Sequence, residues 1–229
     1  LYQVTQKGGE RWSAARAYVE PLREHGNFTV RTGALVEKIL VEKGRATGVV
    51  IRRGSKRETL RARGGVILSA GAFGSPQILM LSGIGPGAHL KDKGIEVVAD
   101  RASVGADLQD HLQVRMVMKA TQAFTFNDDM RNPLRMVGVG LRFALQRRGP
   151  LTVSAGYAGA FLKTDPALDA PDTQVHFINF STTKMGDKLH DFSGFTASAC
   201  QLRPESRRAA ARRRCSPMMI EPAARAASA

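Results

Sequence analysis

The residues of this chain best suited to moving a proton stand side by side. Asp110 and His111 place a carboxylate next to an imidazole, and an imidazole titrates near neutral pH, where a general base works best. Neighbours on an extended chain point to opposite faces, so the pair is poorly placed to serve one atom. We read both as structural, with Asp110 bonding local backbone and His111 packing. His25, His89, His176 and His190 are isolated in sequence and read as surface or satisfied histidines. Cys200 and Cys215 form no Cys-x-x-Cys pair and have no histidine cluster nearby, which argues against a metal site. A disulfide between them could be drawn, but a reduced, cytoplasmic protein with one buried and one incidental cysteine is the plainer reading.

A second group of residues points to binding rather than catalysis. The apolar run Val66-Ile67-Leu68 leads into Ser69-Ala70-Gly71-Ala72-Phe73-Gly74. A short run without polar alternation suits a strand buried on both faces, as in a parallel sheet. Ligands of open α/β sheets lie at the carboxyl ends of strands. Small residues at that point let the backbone approach a cofactor closely. On the residues alone, the plainer reading is that Gly71 and Gly74 permit tight packing of strand against helix.

The elements that would position these residues are legible from pattern. Arg11 to Arg23 reads as a short helix capped by Ser13 and limited by Pro21. Asn27 to Arg31, Leu35 to Val41, Gly48 to Arg52 and Glu58 to Arg61 read as four strands that together make a small antiparallel meander, with turns at Gly33, Gly44 and Gly54. Ser75-Pro76 reads as the start of a helix that Gly83 stops, apolar almost all round and so expected to be buried. Gly85-Pro86-Gly87 is a turn, Ala88 to Lys93 a short helix, Ile95 to Val98 a strand, and Val104 to His111 a glycine-bearing loop. A second unit follows. Its strands are Gln113 to Ala120, Ala158 to Lys163, Gln174 to Phe180 and Ala197 to Leu202, and its helix runs from Leu134 to Arg147, weakened by Gly138 and Gly140.

Charge narrows the partners. The 229 residues carry a formal net charge of +14, which raises nucleic acid or an anionic surface as a partner. The excess is concentrated near the end, at Arg203, Arg207, Arg208, Arg212, Arg213 and Arg214, with no aromatic residues interleaved for base stacking. Solvated charged faces are the reading for the rest, and nucleic acid is not expected as a partner. No apolar run is long enough to span a bilayer. The chain opens on Leu1 with no secretory pattern, and a missing upstream segment is expected. From about Arg207 the text is mostly Arg, Ala, Ser and Pro and reads as a low-complexity tail. A shifted frame near Arg207 would produce such text; the other reading is a genuine basic tail.

The run Gly71-Ala72-Phe73-Gly74-Ser75-Pro76-Gln77-Ile78-Leu79-Met80-Leu81-Ser82-Gly83-Ile84-Gly85-Pro86 resembles the second signature of the glucose–methanol–choline (GMC) FAD-dependent oxidoreductases. Three further stretches resemble that family in its order. They are Gly9-Glu10-Arg11-Trp12-Ser13 with Ala17-Tyr18, then Thr32-Gly33 with Val36, then Gly105 with Leu108-Gln109-Asp110-His111. In the last, Ala106-Asp107 stands where Gly/Glu-Asn is usual. The resemblance covers roughly residues 1 to 206.

The resemblance implies an α/β (α+β) fold. An FAD-binding, Rossmann-like parallel sheet with an inserted antiparallel meander would be joined to a substrate domain of antiparallel sheet and helices, both incomplete. Residues 1–110 would belong to the FAD domain, 111–206 to the substrate domain and 207–229 to the tail. It implies FAD as cofactor, touched by the backbone of Val36 and by Ala70 and Gly71. It implies a small-molecule alcohol as substrate, hydride transfer to the flavin, and reoxidation by oxygen or another acceptor. The family's Gly-x-Gly-x-x-Gly motif and its catalytic histidine segment have no counterpart in these residues, so no catalytic residue is assigned and the chain alone is expected to be inactive. Choline-acting members resemble one another in a Glu just after the Asp-His step; here Leu112-Gln113 follows His111, which removes that ion pair. Two other readings stand beside this one: a flavin-free interaction protein and a basic nucleic-acid-binding protein.

Overall fold

The structure is a computed structural model that describes residues 5–153, 156–184 and 186–205. The low-complexity tail and Cys215 lie outside the described residues. The chain divides into two compact units. One combines residues up to Val30 with Asp110–Pro204, and the other is built from Arg31–Gln109.

The first unit opens on a two-stranded antiparallel ladder, β1 (Gln6–Lys7) and β2 (Glu10–Arg11). Gly8 and Gly9 turn the chain between them at φ of 59° and 75°. The helix expected over Arg11 to Arg23 is not regular. Wide π-type turns over Ala15–Val19 pass into a 3₁₀ turn over Glu20–Leu22. Pro21 has no N–H to give the Ala17 carbonyl, so an α-helical ladder cannot run through it. Ser13 Oγ accepts the Arg16 N–H at 3.4 Å. Asn27 to Arg31 is no strand either; Phe28 N–H closes a turn on the His25 carbonyl at 2.9 Å. Strand propensity there finds no neighbouring strand to pair with.

The second unit begins with the meander: β3 (Leu35–Glu42), β4 (Arg45–Arg53) and β5 (Lys56–Arg61), antiparallel in that order. Lys43 and Gly44 both take positive φ in the first hairpin, the pairing that matches strand twist. Ile39 and Ile51 are its buried apolar residues. Glu37 ties the three strands, reaching Arg52 at 3.0 Å and Arg57 at 2.7 Å. The Arg57 hydrogen bond is the main reason its carboxyl lies below the ordinary value.

The expected buried strand Val66 to Leu68 is irregular instead, and Ile67 is 95% exposed. A strand needs at least one neighbour to bond, and none of the described residues pairs with this run. Helix α1 (Gly71–Leu81) starts four residues before Ser75. Ser75 is not its N-cap; its Oγ reaches back to accept the Ala70 N–H at 3.0 Å, and Pro76 sits inside the helix. The expectation of a buried helix holds only at its end. Met80 is buried, whereas Phe73, at the start of the helix, is 43% exposed; β3 and the short strand Ile84–Gly85 are the strands that pack beside α1. Gly83 stops α1 at φ 81°.

Then come β6 (Ile84–Gly85), α2 (Gly87–Asp92) and β7 (Ala99–Asp100). β6 and β7 pair in parallel, the one parallel ladder among the described residues. Ile95 to Val98 does not form the expected strand; the pairing falls just after it, at Ala99, once Val98 N–H has bonded the Gly83 carbonyl at 2.8 Å. Asp100 Oδ1 accepts the Gly87 N–H at 2.9 Å and so fixes the start of α2, whose Leu90 is fully buried.

The chain then returns to the first unit with β8 (Gln113–Lys119), α3 (Phe126–Arg131), α4 (Pro133–Gln146), β9 (Ala158–Leu162), β10 (Thr173–Ile178) and β11 (Gly194–Gln201). The four strands form one antiparallel sheet in the order β8-β11-β10-β9. Helix α3 is an addition to the elements expected from pattern, though Thr125-x-x-Asp128 is a capping box in the sequence. Asn132 caps α4, its Oδ1 accepting Leu134 N–H at 3.0 Å and Arg135 N–H at 3.2 Å. Gly138 and Gly140 do not break that helix. Residues up to Val30, grouped by sequence with those that follow them, lie in this unit. Glu10 pairs with Arg147 at 3.0 Å, and a Cβ on Gly9 would stand 2.6 Å from the Arg147 carbonyl. No described helix is long and apolar enough to cross a membrane.

Candidate functional site

Two of the motif-bearing segments meet in the second unit. α1 and the Ser103–Leu108 loop enclose an open cleft of about 260 Å³, lined by Ala72, Ser75 and Leu79 on one side and by Ser103, Gly105 and Leu108 on the other. Glycine is favoured where the loop crosses the helix by its backbone rather than by space: Gly105 has φ 76°, while a Cβ on it would make ordinary contacts with Met80 Cε at 3.4 Å and Pro76 Cβ at 3.8 Å. The cleft lining contains no titratable side chain; its side-chain hydroxyls are those of Ser75 and Ser103. Such a surface can hold a ligand by shape and main-chain contacts, but it cannot transfer a proton at neutral pH.

Gly71 and Ala70 stand at the mouth of α1. Gly71 is exposed at φ 85°, and nothing lies within 4 Å of the place a Cβ would occupy. The Ala70 N–H is held by Ser75, which fixes the turn while Gly71 leaves the main chain open. Val36 lies in β3, paired with Ile51 and half-buried. It does not line the cleft.

The Asp110-His111 step is exposed at both residues, so His111 does not pack as expected. Those residues end the loop just before β8, where no element covers them. His190 is satisfied: Nδ1 lies 3.1 Å from Ser181 Oγ and Nε2 lies 3.2 Å from Thr183 Oγ1. Cys200 is a buried free thiol. No group of His, Cys, Asp or Glu among the described residues could hold a metal ion. Gln113 donates through Nε2 to Ser198 Oγ at 3.1 Å, so its amide is committed within the sheet.

Sequence reasoning missed the polar network around α3. Asp128 accepts hydrogen bonds from Thr125 N–H and Thr125 Oγ1, each at 2.9 Å, from Ser193 Oγ at 2.7 Å, and from Arg131. Burial alone would push its carboxyl up. The bonds from Ser193, Thr125 and Arg131 outweigh burial and hold it at about 2. Next to it, Asn127 bridges Ser181 and the His190 carbonyl. The network locks α3 onto the start of β11 and is structural in character. The capping-box spacing is the signal that could have found it.

A family model described as GMC oxidoreductase matches residues 1–113. The oxygen-dependent choline dehydrogenase of Rhizobium johnstonii is 41% identical over 196 residues, which cover 85% of this chain and 35% of that protein. The protein of the same name from Brucella canis is 38% identical over 205 residues, covering 90% of this chain and 37% of its own length. The chain thus spans about a third of the length of these curated relatives. Among solved structures, the formate oxidase of Aspergillus oryzae superposes with a TM-score of 0.78 at 23% identity, over 88% of this chain and 39% of that one. An FAD-dependent oxidoreductase from Chaetomium thermophilum gives a TM-score of 0.73 at 21% identity, over 87% and 41%. At such identities the structural likeness speaks for the fold.

Proposed function

We propose, from the premise that this chain belongs to the GMC oxidoreductase family, that it forms part of a flavoprotein that oxidises an alcohol CH–OH group with FAD as cofactor. The observation that carries this reading is the cleft beside α1, where two of the family's motif segments come together around glycine and small residues.

Val36, Ala70 and Gly71 would hold FAD, chiefly through main-chain atoms. The setting of Gly71 suits such contacts, since nothing lies within 4 Å of the place a Cβ would occupy, and Gly105 carries the loop past α1 at a φ of 76° that favours glycine. When bound, FAD would supply the acceptor for a hydride from the carbinol carbon. The chain's own part is positioning. Arg31–Gln109 would carry the flavin side, and the antiparallel sheet of Asp110–Pro204 the substrate side. Choline is the alcohol in the names of the relatives. Gln113, neutral and bonded to Ser198, stands where choline-acting members resemble one another in a Glu, and this favours a different alcohol.

The test is a melt of the full 229-residue chain with FAD raised from micromolar to millimolar. A ligand held by the native state must raise the melting temperature. The expected result is a saturable rise that Gly71→Val abolishes. A cooperative melt that FAD leaves in place would overturn the reading in favour of a flavin-free interaction protein.

A further inference from the structure

Arg115 lies in β8 of the four-stranded sheet, and its Nη2 is buried without a hydrogen-bond partner among the described residues. It stands opposite Ser198 in the β8–β11 ladder, and Ser198 stands opposite His176 in the β11–β10 ladder. Directly paired residues share a face and lie about 5 Å apart. Arg115, Ser198 and His176 therefore form one row across three strands. The row ends at Gly159 of β9, which presents no side chain. The neighbouring row on the same face holds Gln113, Cys200 and Gln174. No strand residue on this face is Asp or Glu.

The guanidinium is incompletely satisfied. Arg115 Nη2 is buried and has no hydrogen-bond partner; among the described residues, only Asn179 Oδ1 shares that condition. Ser198 is buried and accepts from Gln113, which leaves its hydroxyl proton to give. A buried cationic donor without an acceptor is far more costly than a neutral one. The planar fork of arginine pairs in bidentate fashion with two oxygens of an anion such as a carboxylate.

We propose that the Arg115–Ser198–His176 row binds the carboxylate of a small ligand, and that this ligand is a hydroxy acid whose alcohol group is the one oxidised. The second half rests on the flavoprotein reading above; the anion site does not. Arg115 supplies the charge and the fork, Ser198 a short neutral donor, and His176 the far wall. A cation such as choline would meet the guanidinium and be repelled.

The experiment is calorimetric titration of the full chain at fixed ionic strength with four probes: glycolate, ethylene glycol, choline, and a capped tripeptide with one internal glutamate. Glycolate is expected to bind saturably, and ethylene glycol and choline are not. Arg115→Gln should weaken glycolate by about tenfold or more. Arg115→Lys, which keeps the charge but loses the fork, should fall between, and it provides the reading if the glutamine variant loses its native circular dichroism. No saturation by glycolate, unchanged binding in a folded Arg115→Gln, or tighter binding of choline would each overturn the anion site. Binding of the tripeptide in place of glycolate would overturn the small-molecule assignment, since the row would then take a protein carboxylate. A parallel FAD titration separates the two readings. Glycolate binding with no FAD binding sustains the anion site and removes the alcohol substrate.

Discussion

The Ser82 hydroxyl accepts the Ile39 N–H at 2.8 Å and donates to the Ile78 carbonyl at 2.6 Å. One side chain thus satisfies a donor on the outer edge of β3 and an acceptor at the end of α1. β3 has β4 on one side only, so this edge N–H would otherwise be buried without a partner. The contact fixes α1, and with it the cleft wall, against the meander.

Ser82→Ala should therefore destabilise the second unit by about 1–3 kcal/mol, the cost of leaving a buried donor unmade. Urea unfolding read by circular dichroism checks this. An unchanged midpoint would mean that the Ile39 N–H finds another acceptor and that the tie is incidental.

Gly83→Ala should be more damaging. The position has φ 81°, and an added Cβ would stand 2.4 Å from the Glu96 carbonyl oxygen and 2.8 Å from Val98 Cγ2. Left-handed backbone costs roughly 1–2 kcal/mol for alanine, and overpacking adds about 1–3 kcal/mol. The expected outcome is a fall in stability of roughly 2–5 kcal/mol in the same urea assay. Tolerance of alanine there would show that the loop after α1 is free to shift.

How far this fold is legible in the sequence depends on whether a segment's partners are near it along the chain. The meander can be read because its strands are adjacent and its turns carry Gly44 and Gly54. α4 can be read from its length and apolar spacing. Val66 to Leu68 and Ile95 to Val98 have strand character yet form no strand, because that character does not supply a neighbour and ladder register depends on residues far away. Ser75 has the look of a cap because Ser-Pro commonly starts a helix; here Gly71 opens the turn earlier and Ser75 closes it from inside. The motif run over Gly71 to Pro86 leads to the cleft through resemblance. Nothing in the spacing of Arg115, His176 and Ser198 could announce their row, because only the registers of two ladders bring them together.

Asp128 sets an acid limit on the first unit. Its folded value of about 2 lies below its ordinary value of 3.8. A depressed carboxyl stabilises the fold fully above its unfolded value, and that contribution is lost as pH falls through the folded one. Between roughly pH 4 and pH 2 the wild-type chain should lose stability that Asp128→Ala never had. Urea midpoints for both proteins at about pH 6 and about pH 2 measure it. The variant should be weaker at the higher pH by about 1–3 kcal/mol, and the difference should shrink toward the lower one. A gap that stays constant with pH would show that the carboxylate's charge does not matter.

The outer side of α4 bears on how the chain behaves in solution. Leu134, Val137, Leu141 and Leu145 are spaced by three or four residues, so they share one face, and they are exposed by 83%, 60%, 56% and 80%. Val139 and Phe143 on the other side are half-buried, so the helix is apolar on both. A continuous exposed apolar stripe of this kind favours self-association. The double substitution Leu134→Glu with Leu145→Lys removes its two ends and also suits the helix, since a carboxylate favours the N-terminal turn and an ammonium the C-terminal one. Sedimentation velocity should show the variant shifting toward monomer while the far-ultraviolet circular dichroism stays as it was. Loss of helix signal in the variant would mean that these leucines are packed in the native chain, and that the exposed face is not the origin of association.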